Sequence, residues 1–168
     1  MDVSAGQAFS VATSMIPFVN HNDANRALMG SNMQKQAVPC IRPEAPLVAT
    51  GIEEVSAPFS GRLVLAEEAG EVTYVDASKV KIKGDKSGKE HTYPLVSFQR
   101  TNQFNAFHQR PVVSLGQKVK KGELLADTST TDRGQISLGQ NMLVAFMSWS
   151  GANFEDAIII SSRVMEND

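Results

Sequence analysis

The sequence predicts a mainly β chain with a short helical N-terminal part. Three observations carry that prediction. Residues 20–39 form an amide- and methionine-rich stretch with helical spacing that is closed by Pro39. Lys79-Val80-Lys81-Ile82-Lys83 alternates strictly between charged and apolar side chains, the two-residue period of a half-buried strand. Gly116, Val119, Gly122 and Leu125 fall in a G-x-x-V-x-x-G-x-x-L run, the rhythm of a strand, a turn and a second strand.

Taken in order, Val3 to Ser14 reads as a short helix or loop leading to Ile16-Pro17-Phe18, and Ala8 to Phe18 is apolar enough to want partners. The helix follows. Asn22 or Asp23 can cap it by accepting from an orphan backbone N–H, and Pro39 disfavours α geometry at Val38. Asn25, Met29, Asn32 and Gln36 share one stripe, and Arg26, Gly30 and Met33 share a second beside it. Arg42-Pro43-Glu44-Ala45-Pro46 is an extended connector.

From Leu47 onward the pattern is β. Arg62–Leu65, Glu71–Val75 and Lys79–Lys83 are short strands, with Val80 and Ile82 facing the core and the three lysines in water. Gly84–Gly88 is a polar turn before a strand near His91–Leu95. Asn141–Met147 is nearly all apolar and is expected as a central strand. Gly151-Ala152 breaks it, and Asp156–Ile160 starts another buried strand or helix, which periodicity cannot decide. Trp149 and Phe146 are expected in the core.

At 168 residues the chain is one ordinary domain or two small ones. Sixteen basic and eighteen acidic side chains give a net charge of −2, so any nucleic-acid binding must come from local placement. The single Cys40 excludes an internal disulfide and suits a small buried hydrophobe. No apolar run reaches the roughly 18 residues that would span a bilayer, and no signal-peptide order opens the chain, so the expected setting is cytoplasmic. His21, His91 and His108 show no metal spacing, and no nucleophile elbow or phosphate-cradling glycine loop is present.

Amides can read sugar hydroxyls and backbone groups, and Arg can hold a phosphate through two parallel bonds. By spacing alone the helix reads first as a solvated polar face whose methionines fill a partner's groove, with Arg26 paired to Asp23. A resemblance changes the balance. Residues 20–39 resemble the active-site helix of the β subunit of bacterial multisubunit RNA polymerase, and Gly151-Ala152-Asn153-Phe154-Glu155-Asp156-Ala157-Ile158 resembles a second motif of that family. The similarity also runs through Gly70–Lys83, Arg100–Pro111 and Gly116–Gln140.

That resemblance implies an internal piece of a β subunit. Residues 1–46 would be the helical active-site segment and proline connector. Residues 47–140 would be a β-rich region like a barrel-sandwich hybrid, which the 116–125 spacing also resembles, and residues 141–168 part of a double-psi β barrel, ending before the flap. Arg26 would contact the triphosphate of the incoming nucleotide, with Asp23, Asn25 and Asn32 lining the same site. Lys35 and Gln36 would touch backbone phosphates on the RNA side; Lys35 stands where many relatives carry Arg, which keeps the charge but loses the fork. Glu155 and Asp156 would face a second Mg²⁺ borne by the nucleotide, while the main catalytic Mg²⁺ would be held by the β′ subunit, since this chain lacks a D-x-D-x-D loop. Arg100–Gln103, notably Asn102 and Gln103, and Gln109–Pro111 would be either polar loop structure or contacts near the RNA–DNA hybrid. Implied partners are the β′ and α subunits, other β regions, DNA template, RNA and nucleoside triphosphates, in the cytoplasm and at the nucleoid, with no membrane. The alternative is a stand-alone carrier or adaptor of barrel-sandwich fold, in which Lys86, beside Asp85, would be the modified lysine.

Overall fold

The computed structural model describes residues 3–167. Its N-terminal part holds a 3₁₀ turn at Ala5–Ala8, helix α1 (Val11–Ser14), a second 3₁₀ turn at Val19–His21, and α2 (Ala24–Lys35). After the connector come α3 (Ile52–Ser56) and a 3₁₀ turn at Pro58–Ser60. The β region then runs β1 (Val64–Leu65), β2 (Gly70–Val75), β3 (Lys79–Gly84), β4 (Glu90–Pro94), β5 (Gln99–Arg100), β6 (Ala106–Phe107), β7 (Gln109–Pro111), β8 (Lys118–Val119), β9 (Leu124–Thr128), β10 (Thr131–Asp132) and β11 (Gln135–Ile136). A last helix, α4, covers Ser162–Glu166.

Two sheets make the centre, one ordered β4-β3-β2-β8 and the other β1-β9-β7, and all their pairings are antiparallel. Val72, Val80, Ile82 and Val119 from the first join Leu125 and Ala126 from the second in one core. The alternation read in residues 79–83 holds: Val80 and Ile82 have no exposed surface. The lysines differ among themselves. Lys83 is exposed, while Lys81 is half-buried because it bonds Glu90 at 2.9 Å, and Lys79 lies 5.4 Å from the Tyr74 ring centroid.

The 116–125 spacing yields two strands joined by a tight turn, with Gly122 in the left-handed region (φ 81°). The two strands do not pair with each other. β8 adds to β2 and β9 runs between β1 and β7, so this turn carries the chain from one sheet to the other. Strands β5, β6, β10 and β11 are short hairpin arms that periodicity missed, because two residues per arm are too few for a period to show.

Three expectations are corrected. Asn141–Met147 is not a strand, and Leu143 and Phe146 are fully exposed. Among the described residues no strand lies beside it to complete a ladder, and its backbone is held at its ends instead, where Asn141 N donates to Glu44 Oε2 and the Met147 carbonyl accepts from Asn153 Nδ2. Asp156–Ile160 is neither buried nor regular before α4, with Ile158 largely exposed. Trp149 is exposed rather than in the core, for the same lack of a covering layer. Cys40 is half-buried, against the cleft between the connector and β7.

The proline connector is laced to the far end of the β region. Ala45 N donates to Asp132 Oδ2 at 3.0 Å, Glu44 N to the Gly139 carbonyl at 2.8 Å, and Gln140 Nε2 to the Arg42 carbonyl at 3.0 Å. Asn141 donates from N and Nδ2 to Glu44 Oε2, and accepts from Leu47 N. The helical segment and the segment carrying Glu155-Asp156 therefore leave the β region from one clasp.

Candidate functional site

Helix α2 begins as the sequence requires. Asp23 is its cap, accepting from Asn25 N at 3.3 Å. The helix stops at Lys35, with Gln36 as C-cap and Pro39 beyond. Its inward face is unusual. Ala27, Gly30, Ser31 and Gln34 are the half-buried or buried positions, spaced i, i+3, i+4, i+7. A Cβ on Gly30 would meet Ile16 Cδ1 at 3.6 Å, an ordinary contact, so this face of the helix lies against the segment that follows α1. The other side chains of the helix point outward. Asn25, Arg26, Met29, Asn32, Met33, Lys35 and Gln36 are all exposed, so six of the seven side chains in the two predicted stripes and Lys35 lie on open surface.

Arg26 is not paired with Asp23. The aspartate is engaged at the cap, and the Arg26 guanidinium reaches Met29 Sδ at 3.9 Å instead. Among the described residues Arg26 has no ion pair, which leaves its fork free for an anion.

Glu155 and Asp156 are exposed on a turn that Asn153 builds: Trp149 N donates to Asn153 Oδ1 at 2.9 Å, and Asn153 Nδ2 to the Met147 carbonyl at 2.7 Å. Glu155 sits in the left-handed region, φ 56°. The two carboxylates offer hard oxygens suited to Mg²⁺, but two ligands do not cage a resident ion. Among the described residues no group of three His, Cys, Asp or Glu could hold a metal. No hydrogen bond or ion pair links Glu155 or Asp156 to α2 among the described residues; what they share is the clasp at residues 44–47 and 139–141.

Asn102 and Gln103 lie at the tip of the β5–β6 hairpin, exposed beside Arg62 and Arg100. Sequence reasoning assigned Arg62 to a strand and missed this proximity. It arises from tertiary placement across 38 residues and leaves no mark in spacing. Lys86 lies in a turn whose backbone is held by Glu68, which accepts from Lys86 N, Ser87 N and Ser87 Oγ at 3.0, 2.8 and 2.7 Å. His91 Nε2 lies 3.2 Å from the same carboxylate. These bonds, the Ser87 hydroxyl's foremost, hold the Glu68 carboxyl at about 2, well below its ordinary 4.5. No helix among the described residues is long and apolar enough to cross a membrane.

Comparison with known proteins gives the family of the chain as a whole. The chain is 53% identical over 166 residues, 99% of its length, to the DNA-directed RNA polymerase subunit beta of Thermosynechococcus vestitus. It is 52% identical over the same span to that of Gloeobacter violaceus. The chain spans about 15% of the length of each relative. Nothing in these likenesses favours the carrier reading of Lys86. A family model described as RNA polymerase Rpb2, domain 6, matches residues 65–168, and the chain belongs to that family.

Proposed function

We propose that this chain is part of a DNA-directed RNA polymerase β subunit, where it helps to position the incoming nucleotide and the RNA end during template-directed synthesis. The observation that carries this is the inverted α2, which docks through Ala27, Gly30, Ser31 and Gln34 and leaves Arg26 and its amide neighbours on open surface. The names of the relatives supply the enzyme. Arg26 takes the triphosphate, with Asp23, Asn25 and Asn32 around it, and Lys35 and Gln36 meet RNA phosphates further along. Glu155 and Asp156 would help to hold, indirectly, a second Mg²⁺ borne by the nucleotide, the first belonging to the β′ subunit; such ions would supply the charge neutralisation that phosphoryl transfer needs. Asn102 and Gln103 lie toward the RNA–DNA hybrid.

In this reading residues 1–46 are the helical active-site segment, 47–140 a barrel-sandwich-like support, and 141–168 a part of a double-psi β barrel. The exposed Leu143, Phe146, Ile158 and Ile160, with Leu28 and Met33 of α2, are covered by other β regions or by the β′ or α subunits. The assembly works in the cytoplasm at the nucleoid.

The test is Arg26→Ala in the assembled polymerase. Losing a bidentate, charge-assisted contact should lower kcat/KM for nucleotides by roughly 10- to 100-fold, with assembly intact. Arg26→Lys should recover only part of that loss, because a point charge replaces a fork. Failure of assembly would make the helix structural instead. The isolated chain should incorporate no nucleotide with primer, template and Mg²⁺.

A further inference from the structure

The β5–β6 hairpin and Arg62 line an open notch of about 260 Å³, apart from the residues assigned to the nucleotide. Its polar lining includes two guanidiniums, Arg62 and Arg100, and the carboxamides of Gln99, Asn102 and Gln103, and no carboxylate lines it. Each arginine is laid on an aromatic ring. The Arg62 guanidinium is 4.7 Å from the centroid of Phe107, and that of Arg100 is 4.3 Å from the centroid of Phe104. Stacking of this kind fixes the plane of the cation and leaves its edge N–H donors free for an anion.

The frame around the notch is built to hold that arrangement. Phe104 is kept in the left-handed region, φ 62°, with its ring largely exposed, a conformation that costs energy for a bulky residue. The loop is closed by Thr101 N to the Asn105 carbonyl at 2.8 Å and Phe104 N to the Thr101 carbonyl at 3.0 Å. The N–H groups of Asn102 and Gln103 have no partner among the described residues. Beneath, Gln109 is 8% exposed; its Nε2 donates to the Arg62 carbonyl at 2.9 Å and its Oε1 accepts from Val96 N at 2.9 Å, tying both sides together. Neither Arg62 nor Arg100 has an ion pair among the described residues. Both cations line one carboxylate-free notch, so an anion entering it is attracted by each.

We infer that this notch binds a phosphate group, with Arg62 and Arg100 as charged donors and the amides of Asn102 and Gln103 as neutral ones. The inference deepens the role proposed for Asn102 and Gln103, and rests on it for the source of the phosphate, a nucleic-acid backbone. The test uses the full 168-residue chain and two probes, inorganic pyrophosphate by calorimetry and a short labelled single-stranded RNA by fluorescence anisotropy. R62Q/R100Q should weaken both by on the order of 10-fold or more and flatten the salt dependence of RNA binding. K120Q/K121Q, which removes the same charge elsewhere on the surface, should leave both near the parent. All four side chains are exposed, and unchanged circular dichroism confirms that each variant is folded. Equal weakening by the lysine pair, or no weakening by the arginine pair, overturns the inference. Arginine-dependent pyrophosphate binding with arginine-independent RNA binding upholds the notch and removes the nucleic-acid role of the loop.

Discussion

Asp127 offers the sharpest test of how this fold is held. Its side chain is 2% exposed at the end of β9, and it organises the turn that follows. Oδ1 accepts from Thr131 Oγ1 at 2.9 Å and from Gly134 N at 3.1 Å, while Oδ2 accepts from Arg133 N at 3.0 Å. Asp127→Ala removes all three bonds. Each buried donor left unpaired costs about 1–3 kcal/mol, and the partial exposure of Arg133 and Gly134 lets water recover some of it. The expected loss is therefore about 3–5 kcal/mol. Asp127→Asn keeps one acceptor oxygen, enough for Thr131 and Gly134, but sets an NH₂ group against Arg133 N–H, so it should lose about 1–3 kcal/mol. The same turn carries Asp132, whose carboxylate accepts from Ala45 N in the connector, so both variants should speed hydrogen exchange at Ala45. The assay is urea unfolding followed by far-ultraviolet circular dichroism, because the exposed Trp149 reports on its own segment. An alanine variant within about 0.5 kcal/mol of the parent would refute the reasoning, as would an asparagine variant worse than alanine.

Other outcomes follow from the same geometry. Ile82→Ala, at a site with no exposed surface, should cost about 2–5 kcal/mol in urea unfolding, whereas Lys83→Ala on the opposite face should stay within about 0.5 kcal/mol. The Glu68 carboxyl is depressed to about 2 in the folded chain, so its stabilisation is complete above its ordinary 4.5 and drains away as pH falls toward 2. Amide exchange at Lys86 and Ser87, corrected for intrinsic rates, should rise across that window, and Glu68→Gln should remove the pH dependence. Asn153→Ala should release the turn that presents Glu155 and Asp156, which nuclear magnetic resonance would report as lost dispersion at Trp149 and Ala152 with the β core unchanged.

The sequence was most legible where a segment's partners lie within the chain. Residues 79–83 alternate because β2 and β4 flank them and one core receives Val80 and Ile82, so a local pattern reports a local fact. Asp23 was readable as a cap for the same reason, since its partner is two residues away. The notch was not legible, because Arg62 and Arg100 meet only after the chain has crossed between sheets.

Two failures share one physical cause. A continuous apolar run such as Asn141–Met147 measures how much surface wants to leave water; it does not say what covers it. Helix α2 makes the converse point. The side chains of its two stripes lie on open surface, and the face that packs is the one made of Ala27, Gly30, Ser31 and Gln34, with Gly30 against Ile16. Period fixes which residues share a face, and the neighbouring segment decides which face docks. The exposed apolar surfaces of α2 and of residues 141–160 therefore belong to one problem, since both segments leave the β region at the Glu44–Asn141 clasp. Loosening that clasp with Asn141→Ala should disturb both ends together while Ile82 and its neighbours hold.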